Sequence, residues 1–322
     1  MPAPLLHIGY HKTGTTWLQR RLFGTPALGF AAFRKHDDVH ARLVRPHALD
    51  FDAGACRDYF DPRIADVEGR SLVAVVSSER LSGNPHSGGY DTKELADRLA
   101  TVFPHGRVLI VFREQRAMIG STYKQYVKAG GRASLLDYLH PPERGASRLP
   151  LFDFAYFEYH RLVGYYRERF GPDRVLALPY EMFRARPLDY VSRIVEFAGL
   201  GVSVEALRRL PFSERDNRAL SGLAAEIRRR VNPIVLRDRL GGAPLIRLTE
   251  AAAIRVLRAC DGVADRVAPG ALAERLDRRL ADTVRREVGT RYAQSNALTA
   301  ELTGVELSTY GYELTLPPRA AS

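Results

Sequence analysis

The opening segment, LLHIGYHKTGTTWLQRRLF, constrains the fold more than any other part of the chain. A short apolar run, Leu5–Ile8, directly precedes a loop of Gly, Thr and Lys, and an amphipathic helix is predicted from about Thr15. A buried strand, a loop and a helix N-terminus in this order point backbone N–H groups at an anion. Lys12 adds a full positive charge, and the hydroxyls of Thr13, Thr15 and Thr16 add donors. The segment therefore predicts an anion-binding turn.

The order of residues in this loop decides which anion it binds. A nucleotide-triphosphate loop reads G-x-x-x-x-G-K-[ST], with the lysine after the second glycine. Here Lys12 lies two residues before Gly14, so the loop is not of that type. Other strand-to-helix loops also use Gly and Thr for turns and caps, and that alternative stays open for the loop taken alone.

Lysine usage singles out Lys12. The chain has 48 lysines and arginines together, and only five of them are lysines, at positions 12, 35, 93, 124 and 128. The sequence thus uses arginine wherever a generic positive charge serves. A compact ammonium on a flexible stem can follow charge as it moves onto a bridging oxygen, which a rigid guanidinium does less well. The lysine at position 12 therefore indicates a specific role.

A second segment, GRVLIVFREQRAMIGSTYKQYVKAGG, has the pattern of a buried parallel strand followed by a helix. The apolar run Val108–Phe112 predicts the strand, and a helix is predicted over about 115–128. Arg113 lies at the carboxyl end of the strand, and Ser121 follows eight residues later. Because ligands of open α/β sheets bind beyond the carboxyl ends of strands, we expect Arg113 at the same edge as the first loop.

Two further buried strands are predicted, and each ends in residues that can do chemistry. The run Leu72–Val76 leads to Glu79 and then to a Gly/Pro/Ser-rich loop that contains His86. The run Val175–Leu178 leads to Tyr180. A carboxylate or an imidazole at the mouth of a sheet can remove a proton from a hydroxyl. The alternatives are an ion pair between Glu79 and the arginine that follows it, and half-buried packing for Tyr180.

Together these motifs resemble those of the sulfotransferases that use 3′-phosphoadenosine 5′-phosphosulfate (PAPS). The loop is similar to the family's 5′-phosphosulfate loop, whose pattern is close to P-K-[ST]-G-T-T-x-[LF]. The match is complete from Lys12 to Leu18, whereas His11 stands where many eukaryotic members carry proline. Arg113 and Ser121 resemble the residues that hold the 3′-phosphate in the family.

The resemblance covers about residues 5–222 and implies both a fold and a reaction. It implies an α/β three-layer fold with a central parallel sheet, in one domain over 1–322 that ends in packing helices over about 223–310. The reaction is transfer of the sulfuryl group from PAPS to a hydroxyl of a carbohydrate, lipid or small-molecule acceptor, with adenosine 3′,5′-bisphosphate as the product and no metal. Such a chain binds PAPS and an acceptor; its oligomeric state stays open.

The resemblance also implies roles for individual residues. Lys12 is expected to stabilise the leaving phosphate and Glu79 to be the base, with His86 as the alternative base. The residues expected to bind the nucleotide are Lys12, Thr13, Gly14, Thr15, Thr16, Trp17, Arg113, Ser121 and Tyr180. The acceptor is expected to touch the segments 30–60 and 129–152. A stretch with Asn217, ERDNRALSG, is similar to one that leads into the final helices of bacterial relatives.

The net charge of +11 leaves three classes of function to weigh. It suits an anionic donor, because a basic cleft raises the local concentration of anions. A basic nucleic-acid-binding protein is one rival, but the arginines are spread along amphipathic helices without an aromatic-interleaved stripe. A small-molecule kinase of the P-loop type is the other, and it would need a Walker A lysine and a magnesium-binding carboxylate, for which Glu79 is the sole candidate. We therefore expect no nucleic-acid partner.

Cysteine content and hydropathy bear on the compartment. Cys56 and Cys260 have no CxxC or histidine partner at metal spacing, so we expect reduced thiols and no metal site. The first predicted strand begins close to Met1, and no apolar stretch reaches the roughly 18 residues that a membrane span needs. We expect a cytoplasmic protein without a transmembrane segment.

Overall fold

Five parallel strands form the central sheet of the computed structural model, which describes residues 3–33, 36–141, 151–214, 220–235, 244–246, 248–267 and 270–314. The strands are β1 (Leu5–His7), β2 (Phe30–Ala32), β3 (Val73–Ser77), β4 (Arg107–Phe112) and β5 (Val175–Pro179). Their order across the sheet is β2-β3-β1-β4-β5, and every neighbouring pair is parallel. The predicted α/β class with a central parallel sheet is confirmed.

Helices cover both faces of this sheet. The described α-helices are α1 (Thr15–Trp17), α2 (His36–Val39), α3 (Ala53–Gly69), α4 (Thr92–Val102), α5 (Gln115–Lys128), α6 (Leu135–Leu139), α7 (Tyr159–Phe170), α8 (Tyr180–Ala185), α9 (Pro187–Phe197), α10 (Val204–Arg208), α11 (Gly222–Val235), α12 (Glu250–Val267), α13 (Gly270–Val288) and α14 (Ala293–Thr303). Two π-helical turns, Leu18–Leu22 and His40–Val44, continue α1 and α2. Short 3-10 turns include Glu79–Ser82 and Pro85–Ser87.

The strands are buried on both faces, which is why each reads as an apolar run in the sequence. Leu6 and Ile110 lie in a core formed with α3, α4, α5 and α7. Leu5 and Leu109 point the other way, into a core formed with α1 and α9. All four side chains are fully buried. The alternation of a strand thus fixes one helical layer on each side of the sheet.

The helix predicted from Thr15 is present, but most of it is not α-helical. After the single α-turn of α1, the chain widens into the π-turn Leu18–Leu22, closed by a bond from the Phe23 N–H to the Leu18 carbonyl. The wider turn brings Trp17, Leu18 and Leu22 into the core, where each is at most 4% exposed. Burial of these side chains therefore accompanies the departure from the regular helix.

The strand order places four loops side by side at one edge of the sheet. The carboxyl ends of parallel strands point the same way, so the segments that follow β3, β1, β4 and β5 are neighbours in that order. The chain runs from β1 to β2 and β3 on one side and then crosses to β4 and β5 on the other. The end of β1 therefore lies at a topological switch point, where α/β proteins bind ligands.

Helices α11 to α14 complete the described part of the C-terminal region. Helices α11 and α13 pack on α5, and α14 packs on α7. Asn217 lies outside the described residues, as does the stretch 142–150 of the predicted acceptor segment. In the ranges that the structure describes, we find no helix with the length and apolar character of a membrane span.

Two buried polar side chains fasten α11 to the end of α5. The Asn232 amide, which is fully buried, donates to the carbonyls of Val127 and Gly131, each at 2.8 Å. Arg228 Nη1 donates to the Lys128 carbonyl at 3.2 Å. The last carbonyls of a helix have no partner within the helix. Backbone N–H groups reach the Val127 carbonyl, and Asn232 adds a second donor there. Arg228 supplies a donor at Lys128, so α11 ties down the end of α5.

Replacing Asn232 by alanine is expected to lower the free energy of unfolding by about 1–3 kcal/mol, because buried carbonyls lose their donor. Denaturant titration measures this change. Arg230→Ala is the matched control on the same helix, since the Arg230 side chain is 73% exposed; it should change stability by less than about 0.5 kcal/mol. Equal losses in the two variants would contradict the anchoring role of Asn232.

Candidate functional site

The loop between β1 and α1 turns on two residues with left-handed backbone conformations. Lys12 has a φ of 64° and Gly14 a φ of 77°. This conformation costs free energy for a residue other than glycine, and such strain is concentrated at ligand-binding sites. At position 14 a Cβ would lie 2.9 Å from Cε2 of Tyr180. Glycine is therefore required there both by the backbone and by the close approach of the Tyr180 ring.

The threonine hydroxyls of this loop are partly used inside the protein. Thr13 Oγ1 donates to the Tyr10 carbonyl at 2.6 Å, and the residue is 1% exposed. Thr15 Oγ1 donates to Glu79 Oε2 at 3.2 Å. The Thr13 hydroxyl thus serves the turn in this structure, and its contact with a bound anion stays a prediction. Thr16 is half-buried at the start of α1.

Three positive charges converge around the loop. Partial desolvation lowers the pKa of Lys12; Glu79 opposes this effect, and the charges of Lys128 and Arg113 add to it. Arg113 Nη1 donates to the Lys12 carbonyl at 3.4 Å, which ties the end of β4 to the loop. Crowded cations of this kind attract an anionic ligand. Lys128 was not predicted, although its being one of five lysines was an available signal.

Arg113, Ser121 and Trp17 are also predicted to bind the nucleotide, and their surroundings differ. The Arg113 guanidinium carbon lies 5.6 Å from the centre of the Tyr180 ring. Ser121 is half-buried on α5, and its hydroxyl makes no hydrogen bond within the described ranges. Trp17 is 4% exposed and packs between Phe183 and Phe212. Its indole thus lies in the core beside the loop, and a contact with a nucleotide stays a prediction.

Glu79 projects from the end of β3 to the same loop. His11 Nδ1 lies 3.3 Å from its Oε1, and Thr15 binds its Oε2. Burial alone would raise the pKa of the Glu79 carboxyl, but His11, Thr15 and Lys12 together lower it to about 2. The carboxyl is therefore ionised at neutral pH. The arginine that follows it pairs with Asp91 at 2.6 Å instead, so the alternative of a Glu79–Arg80 ion pair is wrong.

His86, the alternative base, lies close to the same group of charges. Its Nδ1 is 2.9 Å from the Tyr138 hydroxyl. Burial lowers its pKa to about 4, and the charges of His11, Arg80 and Lys12 act in the same direction. The imidazole is therefore neutral at neutral pH. The rings of Tyr126 and Tyr138 lie beside it, at 6.0 and 6.1 Å between centres.

A buried polar cluster lies behind the loop. His7 is fully buried, and its Nδ1 is 2.7 Å from Ser77 Oγ, which also accepts from Gln19 Nε2 at 3.0 Å. Burial lowers the pKa of His7 to about 3, with an opposing effect of Glu79. A Cβ on Gly9 would lie 2.9 Å from His7 Nε2. The neutral imidazole therefore fills the space behind Gly9 and links β1 to β3.

Both predicted acceptor segments have residues at the site in the described structure: Tyr138, from the segment 129–152, contacts His86. The π-turn His40–Val44, from the segment 30–60, packs against the turn Glu79–Ser82. Tyr59 of the same segment faces elsewhere: its hydroxyl donates to Asp38 at 2.6 Å, and the guanidinium groups of Arg42 and Arg63 cover its ring. Tyr59 thus has its partners within the protein, and contact of an acceptor with this segment stays a prediction.

Comparisons with known proteins agree with the motifs. Residues 90–203 match a sequence profile described as the sulfotransferase family. Cytosolic sulfotransferase 16 of Arabidopsis thaliana is 28% identical over 214 residues, which are 63% of this chain and 55% of that protein. The chain thus spans about half the length of this curated relative.

A solved structure extends the comparison to the whole chain. The sulfotransferase from Alicyclobacillus acidocaldarius has a TM-score of 0.52 and 15% identity, and the match covers 97% of this chain and 99% of that one. At this identity the likeness concerns the fold. Together with the family profile, it confirms the resemblance to sulfotransferases.

Proposed function

We propose that this chain transfers the sulfuryl group of PAPS to an acceptor hydroxyl, on a carbohydrate, a lipid or a small natural product. The observation that carries the proposal is the contact between Arg113 Nη1 and the Lys12 carbonyl, at 3.4 Å. It joins a loop suited to a 5′-phosphosulfate to a strand-end arginine suited to a 3′-phosphate. An anion with two phosphate positions on one nucleotide fits such a pair of neighbouring sites.

The residues around the loop fit the parts of PAPS. Lys12 and the backbone of Gly14, which precede the first helical turn, are proposed to hold the 5′-phosphosulfate. Arg113 and the unbonded hydroxyl of Ser121 are proposed to hold the 3′-phosphate. Tyr180, packed against Gly14, is proposed to contact the adenine side. When bound, PAPS supplies an electrophilic sulfur with adenosine 3′,5′-bisphosphate as its leaving group.

The proposed reaction is a direct in-line displacement. The acceptor oxygen forms a bond to sulfur while the bond between sulfur and the bridging phosphate oxygen breaks. The acceptor proton passes to a base of the protein, and the products are a sulfate ester and adenosine 3′,5′-bisphosphate. Negative charge grows on the leaving phosphate, where the Lys12 ammonium stabilises it more in the transition state than in the ground state.

We propose Glu79 as the base, with His86 as the competing candidate. Glu79 is ionised and lies beside the loop that holds Lys12, which places it near the proposed sulfuryl position. A pKa of about 2 makes it a weak base, because general bases work best with a pKa near the working pH. Neutral His86 is only moderately more basic, with a pKa of about 4. Position therefore favours Glu79, whereas basicity favours His86.

The compartment follows from the relative and is also proposed. The curated relative is named a cytosolic sulfotransferase, and we propose that this chain likewise acts in the cytoplasm. The kinase alternative is less well supported, because both oxygens of Glu79 already have partners in the loop, where a kinase would use such a carboxylate on magnesium.

Lys12→Ala is expected to lower kcat by about a hundredfold or more, as for loss of a donor that stabilises a developing oxyanion. The KM for PAPS should rise much less, because the contact strengthens mainly in the transition state. Turnover with labelled PAPS at saturating donor measures both. Lys12→Arg keeps the charge and is expected to recover part of the loss. Near-wild-type turnover in Lys12→Ala would contradict the assignment.

Arg113→Ala is expected to weaken binding of adenosine 3′,5′-bisphosphate by about ten- to 150-fold, since a charge-assisted contact contributes about 1.5–3 kcal/mol. Isothermal titration measures this affinity. Adenosine 5′-phosphosulfate, which has no 3′-phosphate, is the internal control, and its affinity should change little. If both ligands weaken equally, Arg113 has a structural role.

Glu79→Gln is expected to lower kcat by about 10²–10⁴-fold while the affinity for adenosine 3′,5′-bisphosphate stays nearly constant, because the amide keeps the shape but loses the basicity. His86→Ala is the matched variant. Protonation of the base removes activity as the pH falls, so a Glu79 limb of kcat/KM lies near pH 2 and a His86 limb near pH 4. A limb near pH 4 that survives in Glu79→Gln and vanishes in His86→Ala would identify the imidazole as the base.

A further inference from the structure

His11 has no role in the reaction described so far, although it is built into the loop. It is 6% exposed, and its Nδ1 lies 3.3 Å from Glu79 Oε1. Thr15 Oγ1 lies 3.2 Å from the other oxygen of the same carboxylate. Both contacts come from the loop that also holds Lys12. The loop thus grips the carboxylate at both of its oxygens.

The charge of Glu79 determines which proton His11 must carry. The carboxylate is anionic, since its pKa is about 2. Neither ring nitrogen of His11 has hydrogen-bond geometry to a partner in the described structure, so the 3.3 Å approach to Glu79 is an electrostatic contact. At this distance an Nδ1 lone pair would be repelled by the anionic oxygen, whereas an N–H would be attracted. The contact is therefore favourable only when Nδ1 carries a proton. This holds for the neutral Nδ1–H tautomer and for the cation alike.

The nearby Lys12 ammonium explains why the Glu79 carboxylate must be held by His11 and Thr15. The ammonium and the Glu79 carboxylate are opposite charges close enough to influence one another. Even so, the structure shows no ion pair between these two described residues; Glu79 is paired with His11 instead. A direct pair would occupy the ammonium that the leaving phosphate needs and the carboxylate that the acceptor needs. Arg80, the next residue, is kept away from Glu79 by its own pair with Asp91.

We propose that His11 is a positioning residue for the sulfuryl transfer, whose Nδ1–H holds the Glu79 carboxylate away from the Lys12 ammonium. This inference rests on the proposed function. With His11 in place, the ammonium is available to the leaving phosphate and the carboxylate to the acceptor hydroxyl. The other charged or titratable groups of the described structure that interact with Lys12, His11 or Glu79 include His7, His86, Arg113, Lys128 and Tyr156. None of them makes a hydrogen bond to Glu79 in the described structure.

Two substitutions at position 11 distinguish the effect of the side-chain N–H donor from the effect of the imidazole ring. Asparagine places a side-chain N–H near the position of Nδ1, whereas leucine fills similar space and has no donor. His11→Leu is expected to lower kcat by about 10–100-fold, since the geometry of two catalytic groups is lost. His11→Asn is expected to stay within about threefold of the wild type, because the donor is kept. Affinity for adenosine 3′,5′-bisphosphate, measured by isothermal titration, should change less than about threefold in both.

The results for His11→Asn and His11→Leu can either support the positioning role or overturn it. Rescue by asparagine but not by leucine, at constant nucleotide affinity, supports the positioning role. Loss of turnover in both variants would overturn it, because the ring itself or Nε2 would then be what matters. Full turnover in His11→Leu would overturn it as well. Loss of nucleotide affinity in His11→Leu would assign His11 to the shape of the loop instead.

A measurement on the resting protein tests the contact without any turnover. Nitrogen-15 spectra of the full chain, labelled at histidine and assigned with His11→Asn, report which ring nitrogen carries the proton. We expect a protonated Nδ1 at neutral pH. A proton on Nε2 alone would overturn the inference at any level of activity. A wild type that binds no adenosine 3′,5′-bisphosphate would instead refute the proposed function, and the positioning role would fall with it.

Discussion

The place of β1 between β3 and β4 is the constraint on which the rest of the site depends. Its loop is flanked on one side by Glu79 and on the other by Arg113. The proposed base and the proposed phosphate-binding arginine thus meet at the same turn because their strands flank β1 in the sheet. The same order makes β1 a switch point, because the chain leaves it on one side and returns on the other. The chemistry is therefore a consequence of the topology.

Charge balance around the loop explains its unusual local structure. Lys128 and Arg113 both lower the pKa of Lys12, and the Glu79 carboxylate opposes them. Partial burial of the ammonium is the larger cause of the lowered pKa, so desolvation comes before the cationic neighbours in disfavouring its charged form. The loop bears a further cost in the left-handed backbone of Lys12. A strained turn with cationic neighbours suits an anion of several negative charges, which agrees with the proposed donor.

The sequence alone predicts where the strands end, but it does not predict the side-chain contacts between the residues that follow those ends. Apolar runs predicted β3, β4 and β5 to within a residue at each end, and helix α5 over 115–128 matched the structure, because burial on both faces leaves a plain signal. The pairing of Glu79 with His11 had no such signal. It joins residues 68 positions apart, so no local pattern contains it. The bond from Thr13 Oγ1 to the Tyr10 carbonyl had no signal either, because it forms only within a turn whose left-handed Lys12 no periodicity reveals.

The C-terminal helices contribute to the site through α5, on which two of them pack. This helix carries Ser121, which is proposed to bind the 3′-phosphate, and ends at Lys128, whose charge acts on Lys12. Its start is capped by Glu114, whose carboxylate accepts from the first backbone N–H groups of the helix. Its end is held by Asn232 from α11 through two buried hydrogen bonds. Without the second anchor α5 would be free to fray by a turn at the lysine end. The helices beyond the motif-bearing core are therefore part of what aligns the site, and a chain cut before α11 would keep the loop but lose the support of Lys128.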